Sequence, residues 1–209
     1  MSPDHQTSDR IYTALKSDLL HDRLGAALLN ITALSNRYGA SATPVREAML
    51  RLVGEQLIIL PAGGGFASAE LSAREVRDLY DLNMRLLLIA AQLVGDDISP
   101  SGASAISSDL DPPVDVLFLN LCERAGNEAL LRVVASVNDR LHRSRLIEAD
   151  RLTRVQEEYA ALLQTRGRAL RAAIIRYHKK RMRFADALTP LGVLSRNAAR
   201  EYYTKSQKG

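Results

Sequence analysis

The sequence predicts a mainly α protein, with a winged helix-turn-helix unit at its N-terminus followed by an antiparallel all-helical bundle. Three observations predict it. Residues 34–57, LSNRYGASATPVREAMLRLVGEQL, read helix, tight turn, helix, because Gly39 supplies a left-handed stop and Thr43 then Pro44 pair an N-cap with a first-turn proline. Residues 57–60 favour a β-strand, PAGGG permits a reversal, and residues 66–69 return as a second strand. No strand pattern appears after residue 70, where apolar residues recur at helical spacing.

Taken in order, residues 1–8 read as a disordered polar leader, and Ser8 caps a helix running to about His21 with Ile11, Leu15, Leu19 and Leu20 as its apolar stripe. Leu28 and Ile31 are expected to join the same small core. A short helix runs from about Ile31 to the stop at Gly39. The next is expected to start at Pro44, with Val45, Met49, Leu52 and Val53 on its buried face and Arg46 and Arg51 off it. The wing completes a domain over residues 9–70.

The second domain is expected over 71–205, with 206–209 as a tail. Ser72 is a plausible cap for a helix on which Val76, Leu79, Tyr80, Asn83 and Leu87 share a face through about Val94. Residues 95–113, rich in Gly, Ser, Asp and Pro, read as a loop with room for one short helix at 103–108. Leu117 and Leu121, then Leu130, Leu131, Val134, Val137 and Leu141, mark two helices divided near Gly126 and Asn127. A further helical run covers about 151–188 with a break near Gly167, and a last short helix follows Pro190.

Composition bounds the function. The 209 residues are 46% hydrophobic, enough to bury two small cores. The single cysteine, Cys122, cannot form an intramolecular disulfide, and MSPDHQTSDR lacks the apolar core of a secretory signal. The longest apolar stretch, near 86–94, is far short of the roughly 20 residues that span a bilayer, so a soluble cytoplasmic protein is expected. The net charge of +4 is unevenly distributed. Residues 1–70 carry six Lys and Arg against seven Asp and Glu, residues 71–150 eight against thirteen, and residues 151–209 fourteen against four.

The residues Ser41, Thr43, Pro44, Val45, Arg46, Glu47 and Ala48 spell S-x-T-P-V-R-E-A, and with the wing they resemble the N-terminal domain of the GntR family of bacterial transcriptional regulators. The resemblance covers about residues 9–70 and implies binding to a double-stranded DNA operator. Arg46, in the first turn of the second helix, is the residue type and place for reading a guanine edge in a major groove. Arg37, Thr43, Pro44, Arg51 and the wing glycines Gly63, Gly64 and Gly65 complete the expected interface. Two positions commonly arginine in the family are Ala42 and Thr32 here, which implies weaker or altered operator binding.

The rest of the chain resembles the FadR branch, in its shorter VanR-like form, through Asp115, Phe118, Gly126, Asn127 and Leu130. That resemblance implies a helical ligand-sensing domain in which one Asp and three His hold a divalent metal that a small carboxylate effector joins. Asp115 and His178 match two ligand positions, whereas Leu119 and Tyr159 stand where histidines are expected. No tightly bound metal is therefore expected, and no other cofactor. The candidates for an anionic effector are Arg85, Asp115, Arg132, Tyr159, Arg171 and His178. His142 reads as a helix-face residue. The basic run at 166–183 reads as a solvated face, a phosphate contact or a partner for the acidic residues of the bundle. The resulting expectation is a homodimeric regulator with an unidentified effector, and the alternative is an interaction or sensing protein that kept the fold but not the reading of DNA. No nucleophile with a base, no Walker lysine after PAGGG and no complete metal motif point to an enzyme.

Overall fold

The computed structural model describes residues 3–24, 28–95 and 112–190. The chain forms two compact units that meet in sequence between Glu70 and Leu71. Helix α1 spans Pro3–Leu20, so the expected leader is already helical from Pro3 and Ser8 is not its cap. Ser8 is buried, in register with Ile11 and Leu15, and the helix's inner stripe therefore begins in a segment whose polar composition conceals it.

Helix α2 spans Ile31–Tyr38, and its N-cap Asn30 accepts a hydrogen bond from the Ala33 amide at 3.0 Å. Gly39, at φ 60°, ends it as the sequence requires. Helix α3 spans Ala42–Gly54, two residues longer at its start than expected: Ser41, not Thr43, is the N-cap. Pro44 is then the third helical residue, where its missing amide hydrogen has no helical acceptor to lose. Val45, Ala48, Met49 and Leu52 form the buried face of α3.

Three short strands close this unit. Strands β1 (Leu28–Leu29), β2 (Ile58–Ile59) and β3 (Phe66–Ser68) form an antiparallel sheet in the order β1-β3-β2. Ala67 of β3 faces Leu28 on one side and Ile59 on the other. Strand β1 was not expected, and its register corrects the core: Leu29 is buried whereas Leu28 is exposed. The core gathers Ile11, Leu15, Val45, Met49, Leu52, Ile58 and Phe66.

The second unit is helical throughout its described residues. Helix α4 spans Ala73–Val94 and begins with a reciprocal capping box, in which the Ser72 hydroxyl accepts from the Glu75 amide and the Glu75 carboxylate accepts from the Ser72 amide. Helices α5 (Pro113–Arg124) and α6 (Glu128–Leu146) are divided at Gly126, φ 65°, and Asn127, whose side chain caps α6 by accepting from the Leu130 amide. The run expected over 151–188 is three helices: α7 (Glu148–Arg151), α8 (Val155–Gln164) and α9 (Gly167–Arg183). Arg154, at φ 60°, turns the chain between α7 and α8. Helix α4 packs against α5, α6 and α9 and is the spine of the bundle, around a core that includes Val76, Tyr80, Leu87, Phe118, Val134, Leu141, Leu162 and Ile174. The helices expected at 103–108 and after Pro190 lie outside the described residues. Among the described residues no helix is long and apolar enough to cross a membrane.

Candidate nucleic-acid interface

The start of α3 presents Ala42, Thr43, Arg46 and Glu47 to solvent while Val45 and Ala48 turn inward. The Arg46 guanidinium lies 5.8 Å from the ring centroid of Phe66, so the third strand supports the side chain without neutralising it. Among the described residues no ion pair engages Arg46. At the wing, residues 62–65 are exposed, and Gly64 and Gly65 take φ values of 86° and 79°. The Gly64 amide donates to the Pro61 carbonyl at 2.9 Å. That turn needs glycine for its backbone, and it brings a side-chain-free tip to the surface.

The other cations described in this unit are engaged within it. Arg37 donates to Asp18 at 2.9 Å, and the Tyr38 hydroxyl joins the same carboxylate oxygen at 2.9 Å, tying α2 to α1. Arg51 pairs with Asp9 and stacks 3.9 Å above the Tyr12 ring centroid, tying α3 to α1. Lys16 pairs with Glu55 at 2.8 Å, and Arg23 lies 3.6 Å from Asp18. Arg37 and Arg51, expected at a DNA surface, thus hold the helix-turn-helix together, and Arg46 is set apart from them.

The bundle interior contains a second polar constellation. Arg145, on α6, pairs with Asp115 of α5, and donates to Asn138 at 2.9 Å and to Asn83 of α4 at 3.2 Å. Nδ1 of His142 lies 3.3 Å from the other Asp115 oxygen. His178 is fully buried, with Nε2 2.9 Å from the Asn83 side-chain oxygen and Nδ1 2.7 Å from the Ile174 carbonyl. Burial first, and then the charges of Arg145 and Arg181, lower its pKa to about 3 against the pull of that carbonyl, so the ring is neutral.

One turn away, Glu148 accepts from Tyr80 at 2.8 Å, Tyr177 at 2.9 Å, Tyr159 at 3.1 Å and Arg181 at 2.7 Å. Arg181 also binds Glu158 and lies 3.6 Å over the Tyr177 ring. Burial, followed by the charge of Glu148, raises the phenol pKa of Tyr80, Tyr159 and Tyr177, which keeps all three as donors.

Of the effector candidates, Asp115, Tyr159 and His178 come together in this interior. Arg85 and Arg132 do not: both are exposed and pair along their own helices, with Asp81 and Glu128. Arg171 is half-buried on α9. His142 is buried beside Asp115, on the inner face of α6. The sequence reading missed Arg145, Glu148 and Arg181, although Arg145 follows Val134, Asn138 and Leu141 in one helical register.

The donor set does not fit the metal that the FadR-branch resemblance implies. Asp115 already holds a guanidinium, which has no lone pair to offer and repels a second cation. Leu119 has no donor atom, and the Tyr159 hydroxyl is turned to Glu148. Among the described residues no three His, Cys, Asp or Glu side chains converge as a metal site.

Comparison with known proteins bears on both units. Residues 7–67 match the family model described as bacterial regulatory proteins, gntR family. The chain is 25% identical over 135 residues to the uncharacterized HTH-type transcriptional regulator YdhC of Bacillus subtilis, covering 57% of this chain and 60% of that protein. It is 30% identical over 91 residues to the HTH-type transcriptional repressor GlaR of Escherichia coli, covering 41% of each. The matches thus span about half the length of these curated relatives. Among solved structures, a GntR regulator from Rhodococcus superposes with a TM-score of 0.67 at 16% identity, over 85% of this chain and 96% of that one. Escherichia coli McbR/YncC superposes with a TM-score of 0.61 at 17% identity, over 88% and 98%. These two likenesses are of fold.

Proposed function

We propose that this chain, which belongs to the gntR family of bacterial regulatory proteins, is a DNA-binding transcriptional regulator that reads its operator chiefly through Arg46. The observation that carries the reading is the contrast at α3, where Arg51 is drawn into an ion pair and Arg46 is left exposed and, among the described residues, without a carboxylate. A guanidinium at the start of a recognition helix can donate two hydrogen bonds to a guanine edge, which discriminates by about 1–3 kcal/mol against another base. Thr43 is suited to a phosphate, and the glycine tip of the wing admits close approach of backbone to a groove.

The regulator acts as a homodimer on a two-fold operator. Support comes from α4, where the apolar side chains of Leu82, Ile89 and Leu93 are exposed at spacings of seven and four along one face. The bundle senses a small anion at its polar interior, where a ligand carboxylate would compete with Asp115 for Arg145 or with Glu148 for Arg181 and the tyrosines. Such an exchange preserves the count of buried charges and gives the ligand a way to shift helices that share those carboxylates.

Fluorescence anisotropy with duplexes from the region upstream of the gene, against scrambled duplexes, tests the reading. The native protein should prefer its own region, and Arg46→Ala should lower that preference by roughly 10-fold or more. Equal binding of both duplexes by the native protein, repeated in selection from random DNA, would leave an interaction protein on the same fold.

A further inference from the structure

Residues 1–70, which hold the winged helix, are poorly equipped to attract DNA. They carry six Lys and Arg against seven Asp and Glu, and four of the six, Lys16, Arg23, Arg37 and Arg51, face carboxylates within the winged-helix unit. Sequence-independent affinity for a duplex comes from cations available to phosphates. The positive surplus of the chain lies instead after residue 150.

Helix α9 concentrates that surplus on one side. Arg168, Arg176, Lys179 and Arg183 are exposed and, at 100° per residue, fall within an arc of about 80° over about 22 Å of helix. Leu170, Ile174, Tyr177 and Arg181 occupy the opposite, buried face. The sequence of α9 contains no Asp or Glu, and among the described residues none of the four cations has a carboxylate partner. Four exposed arginines elsewhere on the bundle differ: Arg74 with Asp78, Arg85 with Asp81, Arg132 with Glu128 and Arg154 with Glu157 are each matched within three or four residues. Lys180, beside the stripe, is matched too, by Glu158. Lys179 and Arg183 are one turn apart and repel each other, which an isolated solvated helix would relieve with an acid.

We propose that the outward face of α9 is a second DNA contact, made to the phosphate backbone without regard to sequence. The inference rests on the reading of the chain as a DNA-binding regulator, but not on Arg46 as the residue that reads bases. A stripe of this length spans several phosphates, at one per about 3.4 Å of axis on each strand. Such contacts hold a protein on a duplex and carry no base information.

The test uses the full chain, with Arg168, Arg176, Lys179 and Arg183 all replaced by Gln, and a control in which Arg74, Arg85, Arg132 and Arg154 are replaced by Gln. Affinity for the upstream and scrambled duplexes is measured across a salt series, with thermal melting to confirm that both variants are folded. In the stripe variant the slope of log K against log salt should become shallower by up to about 3.6, at about 0.9 for each of the four phosphates no longer neutralised, and binding of scrambled DNA at low salt should fall at least 10-fold. The preference between duplexes should be retained. Arg46→Ala should do the reverse, losing the preference while the slope changes by at most about 1. If the native protein shows no preference but the stripe variant still loses its slope, the inference stands and the base-reading assignment fails. An unchanged slope overturns the inference, as does an equal loss in the control, which would mark a general effect of net charge. A native protein that binds neither duplex at low salt overturns it too. So does a stripe variant that loses binding only to phosphatidylserine vesicles, since the partner would then be a membrane surface.

Discussion

The two units place their ion pairs differently. In the winged-helix unit the pair between α3 and α1 lies at the rim: Arg51 and Asp9 are 46% and 47% exposed and join helices that apolar contacts already pack. The bundle has surface pairs along its helices too, but it alone holds pairs in its centre: Arg181 and Glu148 are both 0% exposed, and Arg145 meets Asp115 in the same interior. A rim pair is screened by water, and its removal leaves two solvated groups. Removing half of a central pair leaves a charge with neither water nor partner. The same kind of contact is therefore an adjustment in one unit and a condition of folding in the other.

The sharpest test of that contrast is Arg181→Met, which leaves Glu148 buried with only the three tyrosines. It should cost about 3–5 kcal/mol in urea unfolding, whereas Arg181→Met combined with Glu148→Leu should recover more than half of the loss. A double variant no better than the single one would mean that the tyrosine hydroxyls, not the charge, set the cost. Cys122 gives an independent readout. Its thiol is buried and its pKa is pushed up to about 12 by that burial and then by Glu123, so labelling by a disulfide reagent should be slow in the native protein and accelerate in Arg181→Met.

A smaller effect is expected at Asn30, which caps α2. Asn30→Ala should lower stability by about 1 kcal/mol, and because α2 holds the turn ahead of α3, it should weaken operator binding as well. The smallest is expected at the rim. Arg51→Ala should change stability by less than about 1 kcal/mol despite its two contacts, and a larger loss would show that stacking on Tyr12 outweighs screening.

The parts of the fold that were legible in the sequence are those set by local chemistry. Gly39 marks the left-handed stop, Ser72 and Glu75 mark the start of α4, and the strands on either side of PAGGG are marked by apolar runs around glycine. Strand β1 was not legible because two residues carry no periodicity. Ser41 takes the cap ahead of α3, so two more residues join the helix and Pro44 gives up the first position that proline prefers. The polar interior of the bundle, apart from Asn83 on the face of α4, was hidden for another reason. Asn83 falls in register with Val76, Tyr80 and Leu87, and Arg181 with Leu170, Ile174 and Tyr177. That register is the signal for a buried polar group, but a charged run masks it in α9, and Glu148 lies 33 residues away, where helical spacing says nothing about pairing. The SxTPVREA stretch marked Arg46, but the ion pairs that set Arg46 apart from Arg37 and Arg51 became visible only with α1 in place.

Glu148 also imposes an order on synthesis. It leaves the ribosome 33 residues ahead of Arg181 and 29 ahead of Tyr177, so its carboxylate stays in water until α9 has been made. The described core of the winged-helix unit, by contrast, has its members between Ile11 and Phe66, and these can come together while the bundle is still being translated. A nascent chain stalled before α9 would carry a finished reading head on an open bundle, with an apolar interior exposed for chaperones and proteases to find.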